Sequence, residues 1–117
     1  MEDALDYLHE AQTIFRSFLT NETKNDFVLS GTAETYSAMG LAHVALAQRA
    51  KSTTSQREEH WREARAWFRR SLDIWLDMRG RGALAKVDNE KPQEMMQHLA
   101  TCDAALRRLT GSHSKAI

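Results

Sequence analysis

Cysteine occurs once in the 117 residues of this chain, at Cys102. No internal disulfide can form, which suits a reducing compartment and predicts a cytoplasmic location. Proline also occurs once, and glycine five times. That scarcity disfavours a strand-rich or turn-rich fold and leaves room for long helices. Excess charge of either sign is missing too, with 16 basic and 16 acidic side chains. A nucleic-acid binder needs a basic surplus to displace counterions, and a polybasic membrane anchor needs the same. Neither nucleic acid nor membrane is therefore an expected partner. No apolar run approaches the roughly 20 residues that span a bilayer. The first residues are acidic and amphipathic, without the basic and apolar regions of a signal peptide.

What the chain does have is helical periodicity. Four amphipathic segments are predicted, over residues 3–19, 24–50, 56–79 and 92–109, and the fold class is all-α. In the first, Leu5, Leu8, Ile14, Phe15, Phe18 and Leu19 recur every three or four positions. In the second, Phe27, Val28, Ala33, Tyr36, Met39, Val44 and Ala47 form the buried side. Ser55 followed by Glu58 reads as a capping box that opens the third helix. That helix carries two apolar stripes, one of Trp61, Ala64, Phe68, Leu72 and Trp75, the other of Trp67, Ile74 and Met78. Two stripes imply packing on two sides. Gly80 and Gly82 should stop it, and Leu84 and Val87 should fold back on the core. Met95, Leu99, Cys102, Leu106 and Leu109 stripe the fourth helix, with Gly111 at its end and 112–117 as a flexible tail. Residues 1–111 form one helical domain.

Chemistry-bearing patterns are sparse. The chain has no glycine-rich phosphate loop, no His-Arg-Asp and no Asp-Phe-Gly triplet. Glu94, His98 and Cys102 share one side of helix four at spacings of four. Cys102 lies inside the apolar stripe, so the core reading outweighs a metal site. His9, His43, His60 and His113 have no partner at ligand spacing and read as surface or half-buried side chains. The aromatic group Trp61, Trp67, Phe68 and Trp75 reads as core. No catalytic residue, cofactor or metal is expected, and the chain should not be an enzyme.

Six residues give the helices a further identity. Tyr36, Met39 and Gly40 stand where one helix of a hairpin wants an aromatic, an apolar residue and a glycine. Ala64, Phe68 and Ser71 stand where the next wants small, aromatic and small. The pattern resembles the tetratricopeptide repeat family, whose units are stacked helical hairpins of roughly 34 residues. The block from Trp61 to Leu84, with Lys91, Pro92 and the run from Cys102 to Leu106, is similar to C-terminal repeat segments of bacterial serine/threonine kinases and cyclases. Two departures stand out. About a dozen more residues separate Gly40 from Ala64 than the repeat period allows, and His43 stands where an aromatic is usual.

The resemblance implies a right-handed solenoid and a non-catalytic module that holds a protein or peptide partner. The alternative it implies is a regulatory domain of a kinase or cyclase whose catalytic part lies outside this chain. In such repeats the first helix lines the inner groove, which here gives Glu34, Ser37, Leu41, Val44 and Ala45. The Lys and Asn that capture a C-terminal carboxylate are not at these positions, so a neutral or apolar helical partner is expected. Ala4, Leu8 and Ala11 repeat the spacing of Ala64, Phe68 and Ser71. Helix one therefore resembles the second helix of a preceding repeat, with an apolar side left over. A homodimer through Leu8, Phe15, Phe18 and Leu19 is the expectation.

Overall fold

Thr53 sets the start of the longest helix. Its hydroxyl accepts the N–H of Gln56 at 3.1 Å, and its own N–H donates to Gln56 Oε1 at 2.9 Å. This reciprocal capping box opens Thr54–Gly80. The expected box at Ser55 and Glu58 is not used, and Glu58 instead pairs with Arg62 at 3.1 Å. Both tetrads fit the pattern; the earlier one wins because Thr53 still has the extended backbone a cap requires.

The computed structural model describes residues 5–13, 26–49 and 51–115, with side chains through Gly111. Among them are four α-helices and no strand. These are α1 (residues 5–13), α2 (Asp26–Ala47), α3 (Thr54–Gly80) and α4 (Lys91–Lys115), with a 3-10 turn at Lys86–Asp88.

At its far end α3 closes with a left-handed glycine. Gly82 has φ +71°. The N–H of Ala83 reaches the Met78 carbonyl at 2.8 Å, and that of Gly82 reaches Arg79 at 3.1 Å. Together these satisfy two otherwise orphaned carbonyls. Leu84 then packs on the core as expected, but Val87 in the 3-10 turn is 88% exposed. Pro92 sits buried in the first turn of α4, where its missing N–H costs nothing. Gly111 does not end α4, which continues to Lys115. Glycine in the right-handed region only weakens a helix.

Helix α3 is the central element, packed between α2 and α4. Its first stripe builds the main core. Trp61, Ala64, Phe68, Leu72 and Trp75 meet Ala33 and Ala47 of α2 and Met95, Cys102 and Ala105 of α4. Each large buried apolar side chain contributes roughly 1.5–3 kcal/mol. Gly40 makes the α2–α3 approach possible: a Cβ there would lie 2.6 Å from the Phe68 ring. Ser71 fastens the same contact by donating its hydroxyl to the Ala33 carbonyl at 2.8 Å. Trp67 leaves this core and joins a second cluster with Leu5 of α1 and Met39 and Leu46 of α2. Ile74 and Met78, expected on the same stripe as Trp67, pack on the main core instead.

Among the described residues, ion pairs link the elements at three places: Arg65 to Asp103 at 2.6 Å, Arg81 just past α3 to Asp26 at 3.1 Å, and Lys91 to Glu34 at 3.3 Å. All are partly exposed and screened by solvent, so they contribute little beside the packed core.

Candidate functional site

Helix α2 is covered on two sides and open on a third. Met39 and Leu46 face α1 and Trp67, while Ala33 and Ala47 face α3 and α4. Two helical turns advance 7.2 residues, so Glu34 and Leu41 share one line along the helix. Ala45 lies one turn further on. Leu41 is 49% exposed, Glu34 is exposed, and Ser37 and Ala45 are half-buried beside them. Four of the five expected groove residues therefore lie on or beside one open stripe. Val44 shares the line of Ser37, two turns earlier, but its larger side chain is half-buried and packs against the main core.

Phe27 extends the stripe by two further turns before Glu34 and is 84% exposed. The expectation that Phe27 lies on the buried side is thus overturned. Hydrophobicity had placed it there; helical phase puts it in line with Glu34 and Leu41.

Charge on this stripe is already engaged. Glu34 pairs with Lys91, which also lies 3.9 Å from Glu94. Partial burial pulls the Lys91 ammonium down, but the carboxylates of Glu34, Glu94 and Asp88 together more than offset it, so Lys91 stays above its ordinary value.

The residues expected to support self-association divide differently. Leu8 is half-buried against the cluster of Leu5, Met39, Leu46 and Trp67 within its own chain. Phe15, Phe18 and Leu19 lie outside the described residues.

Each member of the weighed metal set has another role. His98 stacks on Phe68, with ring centroids 4.5 Å apart and planes 14° apart. Cys102 is fully buried, and burial pushes its thiol up to about 11. Glu94 faces Lys91. Among the described residues no group of three or more His, Cys, Asp or Glu could hold a metal ion.

The histidines depart most from expectation. His43 Nδ1 and His60 Nδ1 are 3.0 Å apart, so one ring donates and the other accepts. They are 17 residues apart in the chain, and only the α2–α3 hairpin brings them together. His43, standing where an aromatic is usual, gave the one available hint. His9 sits edge-on to Trp67 at 5.7 Å, whose ring also carries the Arg70 guanidinium at 4.5 Å. His113 lies beyond the described side chains.

Among the described residues no helix is long and apolar enough to cross a membrane. Comparison of the chain with family models, with curated proteins and with solved structures gives no match.

Proposed function

We propose that this chain is a non-catalytic protein–protein interaction module built of tetratricopeptide-type helical hairpins. The open stripe on α2 carries the reading. A helix packed on two sides keeps Leu41 half-exposed between Glu34 and Ala45, on the face that would line the groove of such a repeat. The small residues of the hairpin are used as the repeat pattern requires, with Gly40 against Phe68 and Ser71 against Ala33. A partner helix laid along the stripe would bury Leu41 at little cost in desolvated charge.

Photo-crosslinking from position 41 in the source cell tests this. A discrete crosslinked partner is expected, and Leu41→Arg should abolish its binding while leaving the helical spectrum unchanged. Val44→Arg is unsuitable, because Val44 supports the core. Partners that survive Leu41→Arg with full affinity would defeat the proposal.

A further inference from the structure

The end of the molecule opposite the Arg81–Asp26 pair gathers the C-terminal parts of α2 and α4 and the first turns of α3. Between them lies a cavity of about 330 Å³, lined by Ala47, Gln48, Arg57, Trp61, Ala105, Arg108 and Leu109. That is near the lower limit of ordinary small-molecule sites, roughly 300–1,000 Å³. Its walls are of two kinds. Trp61, Ala47, Ala105 and Leu109 give an apolar floor. Arg57 and Arg108 give two cations, and among the described residues no carboxylate lines the cavity. Neither arginine makes an ion pair among the described residues; the five cations paired there are Arg62, Arg65, Arg69, Arg81 and Lys91.

Arg57 is placed against its local electrostatics. It stands in the first turns of α3, where the helix dipole favours anions and disfavours a cation. Its Nε is buried without a hydrogen-bond partner, and its guanidinium makes one long bond, Nη2 to the Arg49 carbonyl at 3.3 Å. A shielded donor without an acceptor is costly. A carboxylate in the cavity would pair with the outer N–H groups of the guanidinium, in the fork geometry they present. Its apolar portion would lie on Trp61 and Leu109.

We propose that this cavity is a binding site for an apolar carboxylate, held by Arg57 and Arg108 over the floor of Trp61, Ala47, Ala105 and Leu109. The site is separate from the α2 stripe, and the two readings can fail independently.

The test is NMR titration of the full chain, watching the Trp61 indole N–H and the Arg57 Nε–H. Octanoate represents a free acid, and an acetylated pentapeptide ending in leucine represents a chain end. Octanamide is the uncharged control. At least one acid should shift both resonances saturably at millimolar concentration or below, while octanamide does not. The tighter of the two acids then names the source. Arg57→Gln and Arg108→Gln should each weaken binding about tenfold or more, and Arg108→Lys should weaken it less. If Arg57→Gln fails to fold, Arg108→Gln on the exposed side of α4 decides alone. Equal binding of octanamide would overturn the proposal, because the arginines would then be idle. So would shifts confined to Trp67, Trp75 or the α2 stripe around Leu41, or no saturable shift with either acid.

Discussion

Two glycines of this chain have opposite physical meanings. A Cβ at Gly40 would press to 2.6 Å on the ring of Phe68, which is fully buried and has nowhere to move. Gly40→Ala should therefore destabilise by roughly 1–3 kcal/mol, as overpacking does. A Cβ at Gly111 meets nothing within 4 Å, and the residue is helical. Gly111→Ala should stabilise by up to about 1 kcal/mol. Thermal melts of the pair check both signs; a neutral Gly40→Ala would show that α2 and α3 can part without cost. Cys102 offers a pH test. Its thiol in the folded chain sits at about 11, held there by burial with help from Asp103 and opposed by Arg65. The unfolded thiol ionises near 8.5. Between those values the unfolded state releases the proton first, so this group makes stability fall as pH rises. Denaturation between about pH 8.5 and about pH 10.5, inside that window, should show a steeper loss for the native chain than for Cys102→Ala. Equal slopes would mean that the buried thiol does not govern this part of the profile.

Caps and phase decide where each helix begins and which side it buries. Thr53 and Gln56 form the reciprocal box that opens α3, whereas Ser55 is exposed within the helix. Thr53→Ala should cost about 1 kcal/mol and Ser55→Ala a few tenths at most. Urea denaturation distinguishes them, and equal losses would return the cap to Ser55. Helical phase explains the misplaced residue. Rotation by about 100° per residue sends Phe27 outward with Leu41, despite its hydrophobicity. Val44 belongs to both expected sets, the buried side and the groove, and the core claims it.

Assembly of the whole molecule leaves helix one with a reduced apolar surplus. Leu5 and Leu8 are used against Met39, Leu46 and Trp67 of the same chain. Leu8 is therefore not available to the expected dimer, whose other residues, Phe15, Phe18 and Leu19, lie outside the described residues. Light scattering is expected to report a dimer. Phe15→Glu should convert it to a monomer, while Leu8→Ala should lower thermal stability by roughly 2–5 kcal/mol or less without changing the mass. A wild-type monomer at high concentration would end that expectation.

Composition and periodicity alone determined the helical class, the central place of α3 and the core role of Trp61, Phe68, Trp75 and Cys102. These follow from short-range rules: scarce proline, apolar residues every three or four positions, and a thiol inside an apolar stripe. The small residues Gly40, Ala64 and Ser71 were legible for the same reason, since close helix contact demands them. The tertiary structure decided everything that depends on distance through space. It paired His43 with His60, Arg65 with Asp103 and Arg81 with Asp26, residues 17, 38 and 55 positions apart. It divided α3 between two clusters and sent Trp67 away from Ile74 and Met78. It also brought Arg57 and Arg108 to the lining of one cavity with Trp61 and Leu109. A linear pattern carries helical phase along one element, but the register between helices comes from how their side chains interlock, and no local spacing encodes it.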